Sequence, residues 1–317
     1  MGTPERGAPD ALAQAGGLKR WARPVMNLAA VGFVAVAARD LVTKWEGSHV
    51  ELSPGPAVLA CVPLVLSCFA QAFGWIFLVE RMAEKRVRRG PALALYLKSQ
   101  LARYTPGKVG LPLVRMDGAP RLGLGRSLVG VSVLVEMLSW TASGAVVGFA
   151  LLAAAAPSVG LAGLLGKLAM PLFVGAALGA LVLLLVDRSV YPAKVRSLLA
   201  PEGSGPIVPP GLPLAQVGYW ILVALHGYAM SLALGAPQGA ALTAMGFYVI
   251  AQVAGFVVLA APAGLGVREA VLVTGLTPAV GVAGALGAAV ISRGLSLGAE
   301  LVVWAVSRTV WGGTKAA

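Results

Sequence analysis

Charge is scarce in this sequence: Asp, Glu, Lys and Arg make up 12% of its 317 residues, whereas a soluble domain usually carries about 25%. Hydrophobic residues make up 58%, the mean hydropathy is +0.82, and no charged residue lies between Gly203 and Val267. A soluble core does not need so many apolar side chains, which excludes an ordinary soluble domain. The sequence therefore predicts an all-α, polytopic helical membrane protein.

Histidine and cysteine are also scarce, with two of each. Two histidines in unrelated segments support neither a Ser/His/Asp triad nor a His/Cys metal site, and the Gly-x-x-x-x-Gly-Lys-Ser/Thr loop for ATP is missing. Cys61 and Cys68 would lie about 10 Å apart on one helix, too far for a disulfide. We therefore expect no enzyme activity, cofactor or metal, and we interpret the cysteines as packing residues.

Basic residues outnumber acidic ones by 25 to 13, a net charge of +12. In a soluble protein such an excess would suggest nucleic-acid binding. Here the cations cluster in the connections between apolar segments, which is typical of the positive-inside rule and of attraction to anionic lipid headgroups. Membrane lipids are therefore the predicted partners, nucleic acid is not expected, and a homodimer is an open possibility.

The apolar segments predict about eight crossings, since one crossing needs about 20 apolar residues. A Pro/Gly/Ser linker separates two halves that resemble each other in pattern, and the charge distribution places both termini on the cytoplasmic side of a bacterial-type inner membrane. The predicted units are a disordered tail (1–23), a first half (24–200), the linker (201–213), a second half (214–310) and a tail (311–317). The predicted crossings lie near 24–44, 57–79, 127–155, 168–186, 214–235, 240–261, 270–290 and 287–308.

Two segments interrupt the apolar pattern at corresponding places in the two halves. The first, at 91–117, begins with a helix too short to cross and continues into a stretch rich in cations, prolines and glycines. The second covers 262–269. Broken segments at matching positions of two halves are typical of transporter binding sites, so we predict re-entrant or broken helices there. The predicted backbone breaks are Pro106, Gly107 and Gly110 in the first segment and Pro262, Gly264 and Gly266 in the second.

Both interruptions resemble motifs of a known family. The run RYTPGKVG at 103–110 resembles the RYxPGKxG signature, and PAGLGVRE at 262–269 resembles the PGGLGVRE signature, of the flippase-like membrane domain found in lysylphosphatidylglycerol synthases. The resemblance covers nearly the whole chain after about residue 24. It implies a free-standing member that moves a lipid or lipid-linked headgroup across the bilayer, with re-entrant segments near both signatures.

The sequence departs from the family pattern at three points. Met137 follows Glu136 where the family often has arginine, and Ala263 replaces a usual glycine. The aminoacyltransferase domain of the full-length synthases is not recognised in the sequence. The resemblance therefore does not imply synthesis of an aminoacyl lipid.

Cations beside the breaks are the candidate headgroup ligands. The N-termini of broken helices carry partial positive charge, and arginine binds phosphate through a two-pronged fork, so together they form a plausible phosphate receptor. The alternative is that these cations only enforce the membrane topology. The predicted headgroup-binding residues are Arg103, Tyr104, Lys108, Arg115 and Arg268.

Charged residues within the apolar segments are candidates for gating. Glu136 lies near mid-bilayer, where a charge costs about 2.5 to 3.5 kcal/mol, so it needs a partner, water or a proton. We expect Arg293 as its partner and Glu300 as a second carboxylate. Arg268 and Glu269 either form one ion pair or divide their roles between headgroup and gate. Glu136 is interpreted either as a functional group or as half of a structural pair.

The function predicted from these observations is a lipid transporter that works by alternating access. Its substrate would be an anionic phospholipid or a polyprenyl-phosphate-linked lipid. Two alternatives stay open: a membrane enzyme that modifies a lipid or glycolipid with Glu136 or Glu269 as the base, and a scaffold of an envelope-lipid pathway.

Overall fold

The described part of the chain is entirely helical. The computed structural model describes residues 51–104, 109–155, 208–209, 211–258 and 266–311, together with 175, 179 and 264. Apart from short 3-10 turns, these residues form seven α-helices and no strand, which confirms the all-α class. The helices are α1 Pro54–Ala83, α2 Arg89–Leu101, α3 Gly110–Gly118, α4 Arg126–Ala155, α5 Gly211–Ala233, α6 Gln238–Val257 and α7 Val267–Trp311.

Several predictions fall on other parts of the chain. The tail 1–23, the crossings near 24–44 and 168–186 and most of the linker lie outside the described residues. So do Pro106, Gly107, Lys108, Pro262 and the side chain of Tyr104. The count of eight crossings and the likeness of the two halves therefore stay predictions.

Four of the described helices, α1, α4, α6 and α7, are long and apolar enough to cross a membrane. Large apolar side chains are exposed along their outer faces and along α5, an arrangement that water would penalise and lipid would stabilise. The apolar helices therefore indicate a membrane-embedded protein. Exposed examples are Val58, Val62 and Leu66 on α1, Leu134 and Leu138 on α4, Ile221 and Leu225 on α5, and Val302 and Val306 on α7.

Small residues bring the spanning helices close together. Helix α4 packs on α6 through glycines on both sides. An added Cβ at Gly148 would lie 2.6 Å from the Cδ1 atom of Ile250, and one at Gly246 would lie 2.6 Å from the Cδ2 atom of Leu152. Such glycines allow tight backbone approach between helices in lipid, where hydrophobic burial adds little to their association.

The first interruption is a helical hairpin. Helix α2 has 13 residues, a length of about 20 Å, which is less than the roughly 30 Å of bilayer hydrocarbon. Helix α3 returns along it in the opposite direction, since Arg115 bonds Ser99 and Gly118 packs against Leu95. The connection passes through a 3-10 turn at Ala102–Tyr104. This hairpin places Arg115, the cation of α3, beside the spanning helices.

The second interruption leads into another hairpin, with its turn at Gly281. The carboxylate of Glu269 lies 2.6 Å from the guanidinium of Arg293, although the two residues are 24 positions apart. A straight helix would separate them by about 36 Å, so the arms 267–280 and 282–311 must fold back on each other. Of the two alternatives for this segment, one crossing or a hairpin, the turn favours the hairpin, and the run near 270–290 is not one straight crossing. The first arm is also only about 21 Å long.

Gly281 is expected to be essential to the hairpin because of its backbone conformation. Its φ of 70° and ψ of 171° lie in a region that is essentially restricted to glycine. Gly281→Ala should therefore cost about 1–3 kcal/mol of stability, measured by thermal unfolding in detergent micelles.

Gly294→Ala is the matched control for this prediction. Neither Gly281 nor Gly294 has a neighbour within 4 Å of an added Cβ, but Gly294 is helical. Alanine at 294 should be neutral or should stabilise by up to about 1 kcal/mol. Equal effects at the two positions would contradict the turn.

Candidate functional site

A cavity whose wall combines apolar and charged side chains lies inside the helix bundle, between the two interruptions. It encloses about 870 Å³ including its open mouth. Its wall comes from both hairpins and from α1, α4 and α6, so residues far apart in the sequence converge on it. Its charged and amide-bearing lining residues are Arg103, Arg115, Arg268, Arg293, Glu136, Gln71, Gln100 and Gln252.

A second, smaller cavity adjoins the first, with about 620 Å³ of empty space when its open side is included. Five residues line both cavities and form their common wall: Gln71, Gln100, Arg103, Gln252 and Arg268. Beyond this wall the lining changes from arginines to neutral polar groups and one carboxylate. These are Ser67, Cys68, Tyr219, His226, Tyr248, Ser296 and Glu300.

Arg115 and Glu136 form a buried ion pair in the wall of the first cavity. Arg115 is 1% exposed, and its Nη1 donates to Glu136 Oε2 while its Nε donates to Ser99 Oγ at 2.8 Å. The hydroxyl of Tyr96 donates to the other carboxylate oxygen at 2.8 Å. The guanidinium also stacks 4.1 Å from the Tyr96 ring centroid and 4.9 Å from that of Trp75. Both carboxylate oxygens of Glu136 and two nitrogens of Arg115 are therefore hydrogen-bonded, which offsets part of the cost of burying the pair.

The expectation that Arg293 would be the partner of Glu136 is wrong. Arg293 instead bonds Glu269 within the second hairpin, and the first hairpin supplies Arg115 to Glu136. The charge in α4 did require a partner, as its position predicted, but that partner arrives from a segment that does not span.

Two further ion pairs involve the second hairpin, whose arms both belong to α7. Arg103, at the end of the first hairpin's leading helix, bonds Glu300 on α7. Glu269 bonds Arg293 through one oxygen, and its other oxygen accepts from the Gly266 N–H at 2.8 Å. The second contact caps the start of α7, where a negative charge is favourable. Arg268, its neighbour, lines both cavities, so the two adjacent residues have different surroundings.

Close backbone contact holds the second interruption against the first cavity. Gly264 has a φ of +73°, and an added Cβ there would lie 2.6 Å from the Cα of Gly255. Gly255 belongs to α6 and lines the first cavity. The break therefore lies directly on the cavity wall, and Arg268 follows it within one turn.

The charges of the described residues in this region do not cancel. Four arginines line the first cavity, and their surroundings contain three glutamates, namely Glu136, Glu269 and Glu300. The formal sum of these seven groups is +1. A site with this balance favours an anion over a cation or a neutral molecule.

The structure brings together most of the predicted site residues that it describes. Arg103, Arg115, Glu136, Arg268 and Arg293 line the first cavity, and Glu300 lines the second. Gly110 begins α3, and Gly264 and Gly266 both have positive φ, as expected for backbone breaks. Cys61 and Cys68 are free thiols, which confirms that they form no disulfide.

Sequence reasoning missed the neutral polar residues of the site. Three glutamines form much of the common wall, and His226, on the apolar helix α5, lines the second cavity. Trp140 also lines the first cavity, and its indole N–H has no hydrogen-bond acceptor among the described residues. The available signal was the position of Gln71 and Gln252 inside apolar helices, since polar side chains there are costly.

No protein-family model matches the chain, and no curated protein matches it either. The resemblance to the flippase-like domain therefore depends on the two short motifs alone and stays a prediction. The function must be argued from the residues around the two cavities.

Proposed function

We propose that this protein is a membrane lipid transporter that carries an anionic phospholipid or a polyprenyl-phosphate-linked lipid across the bilayer by alternating access. One observation supports this function above the others. A cavity lined by four arginines lies inside a protein whose outer faces are apolar. Such a site suits a molecule with an anionic head and hydrocarbon tails.

Phosphate is the anion that the lining suits best. A phosphodiester has only hydrogen-bond acceptors, and the first cavity offers mainly donors: guanidinium groups and the indole N–H of Trp140. Arginine binds phosphate through two parallel N–H donors, which fixes the orientation of the headgroup. The formal charge of +1 favours a headgroup with one net negative charge.

The ion pairs supply a physical basis for alternating access. Three ion pairs hold the hairpins in place. Arg115 with Glu136 joins the first hairpin to α4, Arg103 with Glu300 joins it to the second hairpin, and Arg293 with Glu269 joins the two arms of the second hairpin. A phosphate that enters the cavity competes with the carboxylates for the arginines. Binding can therefore shift the hairpins between two arrangements, because the ligand has different contacts in each.

The proposal places the protein in a bacterial-type inner membrane with both termini in the cytoplasm. Cations at 81–89, 121 and 126 flank the helices of the first hairpin, and the positive-inside rule assigns such a cluster to the cytoplasmic side. The proposed carrier has no cofactor, and its driving force is a lipid gradient or a coupled ion.

The test is lipid movement in reconstituted vesicles. Short-chain phosphatidylglycerol with a fluorescent acyl group is placed in both leaflets, and dithionite added outside quenches the outer leaflet only. Protein-containing vesicles should lose the inner-leaflet signal as well, whereas protein-free vesicles should keep it.

Two results would overturn the proposal. One is the absence of protein-dependent movement across a panel of phospholipids and polyprenyl phosphates. The other is chemical conversion of the lipid in detergent, where no bilayer separates two sides, which would favour the enzyme alternative.

A further inference from the structure

His226 has a free ring nitrogen in the second cavity. Its Nδ1 lies 2.9 Å from the carbonyl oxygen of Ala60, so Nδ1 carries the proton and donates. The residue is only 1% exposed, and its Nε2 is buried and has no hydrogen-bond partner among the described residues. In this tautomer Nε2 is an acceptor, and a buried acceptor without a donor is costly.

The neighbouring hydroxyls are acceptors as well. Ser67 donates its proton to the carbonyl of Leu64 at 2.7 Å, and Ser296 donates to that of Ser292 at 2.7 Å. Their oxygen atoms keep lone pairs that accept further hydrogen bonds. Beyond the arginines of the common wall, these side chains give the second cavity a set of acceptors, whereas the first cavity is richer in guanidinium donors, and the glutamines of the common wall can do either.

We propose that the second cavity binds a neutral, hydroxyl-bearing group, such as glycerol or a sugar, that is attached to the phosphate held in the first cavity. This inference rests on the proposed function and narrows its substrate class. A polyol supplies several O–H donors, which the acceptors of the second cavity need, while the phosphate takes the donors of the first. A cationic headgroup fits less well, since the four arginines and three glutamates around the cavities already sum to +1.

Two lipids that differ only in hydroxyl groups test this inference. Dihexanoyl-phosphatidylglycerol and dihexanoyl-phosphatidylpropanol carry the same phosphodiester charge and the same number of headgroup carbons. Titration calorimetry on the purified protein should show about tenfold tighter binding of phosphatidylglycerol, the effect of satisfying a buried acceptor. Equal affinities would overturn the inference.

Two substitutions separate the roles of the histidine nitrogens. In His226→Asn the amide N–H₂ replaces Nδ1 and keeps the bond to Ala60, but nothing replaces Nε2. In His226→Gln the longer amide reaches the position of Nε2. The asparagine variant should lose the tenfold preference and bind phosphatidylpropanol as the wild type does, while the glutamine variant should keep it. A preference that survives in His226→Asn contradicts the inference.

A third titration identifies the source of the headgroup. Glycerophosphoglycerol is the same headgroup without acyl chains. Failure of this compound to bind at the lipid's concentration supports a lipid ligand. Binding that matches the lipid, with the same dependence on His226, supports the second cavity but overturns the lipid transporter. The vesicles could also show no transport while the protein still prefers phosphatidylglycerol to phosphatidylpropanol. That result would count against the proposed function and not against this inference.

Discussion

Arg115→Met should lower the stability of the protein by about 3–5 kcal/mol. The substitution leaves the carboxylate of Glu136, which is 5% exposed, buried without its cation. The bond to Ser99 and the stacking on Tyr96 and Trp75 are lost at the same time. Methionine retains much of the side-chain volume, so the loss of stability comes mainly from the buried carboxylate that no longer has a cation.

A double variant isolates this cause. Arg115→Met combined with Glu136→Met removes both charges, and replacing a whole buried ion pair by apolar residues is often neutral. We expect the double variant to unfold near the wild-type temperature in detergent micelles and the single variant well below it. Arg121→Met, which removes an exposed cation, is the control and should change little. Equal losses in the single and double variants would contradict a coupled pair.

The fold class follows from composition because bilayer physics leaves few choices. A chain with 58% hydrophobic residues and 12% charged residues must satisfy its backbone internally, and long apolar runs do so as helices. The runs near 57–79, 127–155, 214–235 and 240–261 correspond to α1, α4, α5 and α6, with ends that differ by a few residues. Hydropathy therefore located the helices that run straight.

The same reasoning failed where an apolar run turns back. The segment 270–290 has the length and hydropathy of a crossing, but a single glycine with positive φ folds it into a hairpin. Hydropathy does not respond to one backbone angle, and Gly281 is one of 41 glycines. The backbone angles of Gly281 and the contact between Glu269 and Arg293 distinguish the hairpin from a long helix.

The sequence predicted the charged residues of the candidate site but not its neutral ones. Charges in apolar segments are conspicuous, so Glu136, Arg268 and Arg293 were singled out before their positions were known. Their pairing was not predictable, because the hairpin that delivers Arg115 sets it. The place of His226 in the site was not predictable for a similar reason, since it depends on one nitrogen that has no hydrogen-bond partner among the described residues.

Arg268→Gln should reduce lipid transport by about 10–100-fold, the largest loss of function expected from one substitution. Arg268 is 8% exposed and lines both cavities, so in the proposed complex it would contact both the phosphate and the group attached to it. Hydrogen bonds to charged groups contribute about 1.5–3 kcal/mol, which corresponds to this range. Glutamine also lowers the formal charge of the seven groups from +1 to zero.

Two further variants, Arg308→Gln and Arg268→Lys, test whether the loss of transport is specific to the cavity. Arg308 is exposed near the other end of α7, so its loss should leave the rate of movement in the vesicle assay unchanged. Lysine at 268 keeps the charge but not the fork, and should give an intermediate rate. If the glutamine variant unfolds at the wild-type temperature and still moves phosphatidylglycerol at the wild-type rate, the arginine-lined cavity is not the headgroup site. A graded loss from arginine to lysine to glutamine, with unfolding temperature unchanged, assigns both charge and geometry at residue 268 to the transported phosphate.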